Sequence, residues 1–141
     1  MIRVDPYLNF NGNTEEVFAF YKSVFGGNYT TVMRFGDMPG SEKMPLADKN
    51  KILHIALPIG GNVLMGTDAL DSMNQQLTTG DNFHISISLD DEGETVRIFD
   101  RLSEDGDIIM PLNKEAWSEL FGMCKDKYGI QWMLNFNSKK K

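Results

Sequence analysis

Gly61-Asn62-Val63-Leu64-Met65 and Gly129-Ile130-Gln131-Trp132-Met133 are the two stretches whose comparison decides the fold. Each opens on a glycine and carries a methionine four residues later. Repetition at a fixed spacing marks two copies of one supersecondary unit. The segments around each stretch repeat as well.

Ahead of the first stretch, Arg3 to Phe10 reads as a strand that stops at the polar turn Asn11-Gly12-Asn13. A helix follows. Asn13 is its expected N-cap, with Glu16 in the capping-box position. Val17, Phe18, Tyr21, Val24 and Phe25 recur at helical spacing. Gly26-Gly27 ends the helix, since glycine takes the left-handed C′ conformation at no steric cost. Asn28 to Phe35 is rich in Thr, Val and Tyr and reads as a strand. Gly36 to Asn50 has no period and reads as a long loop, functional or solvated. Ile52 to Leu57 and Val63 to Thr67 form a hairpin across Pro58-Ile59-Gly60-Gly61-Asn62.

After the polar connection Asp68 to Asp81 the order restarts, about 75–80 residues on. Phe83 to Leu89 is a strand, and Glu92 to Leu102 a helix with Val96, Phe99 and Leu102 as its stripe. Asp107 to Met110, Ser118 to Cys124 and Ile130 to Phe136 are three more strands, with a turn at Pro111. The expected class is therefore α+β: two βαβββ modules, residues 1–68 and 82–137, forming a cupped mixed sheet within one domain. One face of each sheet is covered by its helix. The free face is the default ligand site.

Strand alternation nominates the residues of that free face. They are Tyr7, Asn9, His54, Met65, Thr67, His84, Ser86, Ser88, Gln131, Met133 and Asn135, while Leu8, Phe10, Ile85, Ile87, Leu89, Trp132 and Leu134 go beneath the helices. The lining mixes thioether and aromatic surface with amides, hydroxyls and two imidazoles. It suits a small, partly apolar organic molecule with a few hydrogen-bonding groups. The alternative is that side chains fill the space. Trp117 is either a wall or lid of the site or plain packing at a strand entry. Cys124 has no identifiable base partner and reads as a small buried hydrophobe.

Composition limits the function classes. The 141 residues carry a net charge of −6, which repels nucleic acid. Lys139-Lys140-Lys141 is the one dense basic run and reads as a solvated terminus. A single cysteine excludes an internal disulfide and fits a reducing compartment. No apolar stretch approaches the ~20 residues that span a bilayer, and the N-terminus lacks a secretory apolar run, so a cytoplasmic protein is expected.

The order and spacing of several segments resemble the glyoxalase and bleomycin-resistance (vicinal oxygen chelate) superfamily, and within it the PhnB-like, demethylubiquinone methyltransferase-like family. The matching segments begin with Pro6-Tyr7-Leu8-Asn9-Phe10-Asn11-Gly12-Asn13, Phe20-Tyr21 and Phe25-Gly26-Gly27. They continue with Leu53-His54-Ile55 and Leu64-Met65-Gly66-Thr67-Asp68, then Met110-Pro111-Leu112, Trp117 and Phe121-Gly122. Asp126-Lys127-Tyr128-Gly129-Ile130-Gln131-Trp132 closes the series. The resemblance implies the two-module fold and a homodimer. It also implies, for metal-dependent members, a His or Glu at each of four inward strand positions. Here those positions give His84, Met65, Met133 and either Asp5 or Pro6. Thioethers are weak ligands for hard or borderline ions, so no metal and no cofactor is expected. A rearranged set of Asp5, His54 and His84 is the alternative. A methyl-donor nucleotide site follows a strand with a glycine-rich turn; Gly26-Gly27 follows a helix and reads as a cap.

Three functions follow as expectations. The first is a metal-independent small-molecule-binding protein, with His54 or His84 as the base if protons are transferred. The second is a metal-dependent lyase, isomerase or dioxygenase. The third is a dimeric drug-sequestering resistance protein. One fold hosts all three.

Overall fold

The computed structural model describes residues 1–138; the lysine tail Lys139-Lys140-Lys141 lies outside the described residues. The chain divides between Thr78 and Thr79 into two compact units. The first contains β1 (Tyr7–Phe10), α1 (Thr14–Phe25), β2 (Thr31–Arg34), α2 (Leu46–Lys49), β3 (Ile52–Ile59) and β4 (Asn62–Asp68). The second contains β5 (Ile85–Leu89), α3 (Glu92–Ser103), β6 (Asp107–Glu115), β7 (Ser118–Lys125) and β8 (Gln131–Phe136). The sheets run β1-β4-β3-β2 and β5-β8-β7-β6. In both, the first and last strands of the unit pair in parallel and the remaining neighbours are antiparallel. This is the duplicated βαβββ topology of an α+β chain.

In the first unit α1 buries Thr14, Val17, Phe18, Tyr21 and Val24. They pack on Leu8, Phe10, Ile55, Leu57 and Leu64 of the sheet, all buried. Gly66 is where the helix comes closest: a Cβ there would lie 2.5 Å from Phe18 Cε1. In the second unit α3 buries Thr95, Ile98, Phe99 and Leu102, against Trp132, Leu134 and Cys124. Val96 is 41% exposed, so it leaves the expected stripe; Thr95 and Ile98 join Phe99 and Leu102 on the buried face instead. Burial pushes the Cys124 thiol up to about 12.

Several boundaries differ from those expected. Asn13 makes no side-chain cap; the first helical N–H, that of Thr14, goes instead to Asp68 Oδ1 on β4. Gly26 ends α1 at φ 79° and ψ −163°, a conformation reserved for glycine but not the left-handed one expected. Gly36 to Asn50 is not a plain loop. It holds two 3₁₀ turns, Phe35–Asp37 and Ser41–Lys43, and α2, each too short to show a period. β6 continues through Pro111 rather than turning there. It is an edge strand with register shifts, and proline is tolerated at such edges and bulges.

Candidate functional site

Register decides which side chains share the sheet face opposite each helix. In the first unit Tyr7 stands beside Met65, Asn9 beside Thr67, and Met65 beside Ala56. The Ile55–Gly66 pair puts His54 level with Thr67 and opposite Met33 of β2. Tyr7, Asn9, His54, Met65 and Thr67 therefore lie on one helix-free face. Tyr7 and His54 stack, with ring centroids 5.6 Å apart and planes 26° from parallel. The Tyr7 hydroxyl is 3.3 Å from His54 Nδ1. Thr67 turns its hydroxyl back to the Ile52 carbonyl at 3.4 Å.

In the second unit Ser86 stands beside Met133, Ser88 beside Asn135, and Met133 beside Met123. His84 precedes β5 on the same alternation. Its Nε2 is shielded from solvent and has no hydrogen-bond partner. Gln131 also belongs to this row but is buried. Its amide donates to the Asp81 and Phe83 carbonyls at 3.0 and 2.7 Å, and so ties down the segment entering β5. Trp117 lies in the β6–β7 connection, 61% exposed, edge-on to Phe121 at 5.4 Å. Met110 and Met123, which strand alternation read from sequence did not bring to this face, stand there opposite each other.

The register also settles the first-strand ambiguity. Tyr7 and Ser86 both stand beside the methionine of the repeat, so Asp5 corresponds to His84. Asp5 is spoken for: Oδ1 accepts from the Val63 N–H at 2.9 Å and Asn62 Nδ2 at 3.2 Å, and Oδ2 from Arg3 Nε at 2.8 Å. The Val63 N–H above all holds its carboxyl below the usual carboxylate range. Two of the four donor positions hold thioethers, and no three His, Cys, Asp or Glu side chains assemble as a ligand set among the described residues. These residues do not fit the divalent ion of the metal-dependent superfamily members.

Residues 3–135 match the family model described as 3-demethylubiquinone-9 3-methyltransferase. The chain is 30% identical to protein YjdN of Escherichia coli (strain K12), covering 94% of this chain and 93% of that one. Among solved structures, protein PA1353 of Pseudomonas aeruginosa is 34% identical with a TM-score of 0.85, over 99% of this chain and 100% of that one. The PhnB protein of Bacillus cereus is 28% identical with a TM-score of 0.76, over 96% and 100%. A glyoxalase-related enzyme of Fulvimarina pelagi shares the fold at 18% identity and a TM-score of 0.64, over 97% and 89%. With its two βαβββ units matched along nearly their whole length, this chain belongs to the PhnB-like family described as 3-demethylubiquinone-9 3-methyltransferase and shares its fold with a glyoxalase-related enzyme.

Proposed function

We propose that this protein binds a small, partly apolar organic molecule on its helix-free sheet faces, without the divalent ion used by metal-dependent members of the superfamily. The observation that carries the reading is the register: Met65 and Met133 fill equivalent positions, flanked by Tyr7 and Thr67 in one unit and Ser86 and Asn135 in the other. Thioethers supply adaptable apolar contact; the hydroxyls and amide supply directed hydrogen bonds. His54, paired with Tyr7, is the proton-transfer candidate if the ligand is turned over, and His84 the second.

The methyl transfer named by the family description is not part of this reading. Gly26-Gly27 follows α1 rather than a strand, and both sheets are four-stranded and mixed, unlike the strand–glycine turn–helix that cradles a nucleotide. We further read the protein as a cytoplasmic homodimer. A single buried thiol supports a reducing compartment, and among the described residues no helix is long and apolar enough to cross a membrane. The exposed Ile108 and Ile109 on edge strand β6 support self-association.

The test is a thermal-shift screen of metabolites run with and without EDTA, beside elemental analysis of protein purified without chelator. A ligand at 100 times its Kd stabilises the native state by about 2.7 kcal/mol. The expected result is a chelator-insensitive shift that Met65→Ala or Met133→Ala diminishes. A stoichiometric divalent ion whose removal abolishes ligand binding overturns the reading.

A further inference from the structure

The helix-free face of the second sheet carries three thioethers in one row. Met133 on β8 stands opposite Met123 on β7, and Met123 opposite Met110 on β6. All three are half-buried. Plain alternation would send Met110 to the helix side with Ile108, which pairs with buried Cys124. Instead the register slips between Ile108 and Met110, and again between Met110 and Asn113. The first slip turns Met110 onto the helix-free face. The second returns Leu112 to the helix side, where it packs against Gly122. Bulges that re-aim a side chain in this way concentrate beside functional sites.

Duplication alone does not account for the row. The corresponding positions of the first sheet hold Met65, Ala56 and Thr31, a single thioether. One step along the same alternation from Ser86, the register partner of Met133, lies His84, whose solvent-shielded Nε2 has no hydrogen-bond partner. A buried ring nitrogen left in that state is available as a donor, and a bound ion is one way to satisfy it.

The chemistry of these donors is selective. Neighbouring strands are about 4.8 Å apart, and methionine has three rotatable bonds, so Met123 can share one ion with the methionine on either side. Neutral thioethers are soft donors that favour Cu(I) over magnesium, calcium or manganese, and imidazole accompanies them well on copper. A donor set without formal charge suits a monovalent ion, whose desolvation costs less than that of a divalent one. We infer that Met110, Met123 and Met133, with His84 Nε2 as nitrogen donor, form a binding site for a soft monovalent cation of the Cu(I) class. The inference stands apart from the organic-ligand reading and does not depend on it.

The test uses the full chain. Silver nitrate, a redox-inert stand-in, is titrated calorimetrically in chloride-free buffer. Cu(I) is titrated under nitrogen in competition with bicinchoninate. The expected result is one ion per chain, retained in Cys124→Ala, which removes the sole thiol. Met123→Leu, at the centre of the row, weakens binding at least about tenfold, the low end of what losing even a supporting group costs a metal site. Met110→Leu, Met133→Leu and His84→Ala weaken it less, and Met38→Leu, on the first unit's surface, leaves it unchanged. Leu for Met conserves volume. A second measurement needs no variant: silver shifts the methyl resonances of Met110, Met123 and Met133 in the wild-type protein. No bound ion, an ion lost only with Cys124, or affinity indifferent to Met123→Leu overturns the inference. So does a silver titration that leaves those three methyl resonances unmoved.

Discussion

Asp68 fastens the start of α1 from a strand: its Oδ1 accepts the Thr14 backbone N–H at 2.9 Å. Its Oδ2 accepts the Ile52 N–H at 2.7 Å. One carboxylate, 2% exposed, thus joins α1, β3 and β4, and supplies the cap that Asn13 does not. A negative charge at a helix N-terminus also complements the helix dipole. Asp68→Ala leaves two buried N–H groups without their acceptor, and hydrogen bonds to a charged group contribute about 1.5–3 kcal/mol each. The expected loss is about 2–4 kcal/mol, read as a lower urea midpoint. A loss below half a kilocalorie would make the carboxylate incidental.

Gly66 is required by the same helix. An added Cβ falls 2.5 Å from Phe18 Cε1, 3.0 Å from Cζ and 3.3 Å from Thr14 Cγ2. Phe18 is fully buried. Gly66→Ala is therefore expected to destabilise by about 1–3 kcal/mol through overpacking, although alanine is the better strand residue on propensity. Combining it with Phe18→Leu should recover part of that loss, a coupling that a double-mutant cycle measures directly.

What the sequence could disclose divides by the range of the interaction. Alternation is local, so Tyr7, Asn9, Met65 and Thr67, and equally Ser86, Ser88, Met133 and Asn135, were assignable to one face each without a structure. The duplication was legible because both copies keep a glycine turn ahead of the last strand. Asp68 was not legible as a cap, because its partner Thr14 is 54 residues away. The methionine row was hidden for a different reason. Pro111 looks like a stop, yet β6 continues past it, with three register shifts along its length, and a shift of one residue reverses which side chains face the helix. Gln131 followed the alternation correctly, but only coordinates reveal that its amide is taken up by Asp81 and Phe83.

Arg34 and Glu15 form a two-pronged ion pair, Nη1 to Oε1 at 2.9 Å and Nη2 to Oε2 at 2.8 Å. It clips β2 to the first turn of α1. The hydrogen bond from Arg34 holds the Glu15 carboxyl below its usual value of 4.5. A carboxyl depressed in the folded state contributes stability that is fully present above the unfolded value and disappears as pH falls through the folded one. Stability from this pair should therefore be intact at pH 6 and fade below about pH 4.5. Both groups are partly exposed, so the effect is small and weakens with salt. Urea midpoints at pH 6 and pH 3.5 check it: Glu15→Gln should narrow the difference between them. An unchanged difference would remove the pair from the acid response.

The two tryptophans report separately on the core and on the candidate site. Trp132 is 1% exposed, on the helix side of β8, and its Nε1 donates to Asp126 Oδ2 at 2.9 Å. Trp117 is largely exposed and leans on Phe121, whose register partner across β7–β8 is Asn135 of the helix-free face. An indole away from water emits to the blue and resists collisional quenching, whereas a solvated one emits to the red and is quenched. Trp117→Phe should therefore leave a blue, acrylamide-resistant spectrum, and Trp132→Phe a red, quenchable one if the fold survives the loss of that buried bond. In the Trp132→Phe protein, a ligand bound beside Asn135 should shift the Trp117 emission or protect it from acrylamide. A ligand that stabilises the protein thermally yet leaves Trp117 untouched would confine binding to positions away from the β6–β7 connection. Trp117 would then belong to the packing of Phe121 and not to the wall of the site.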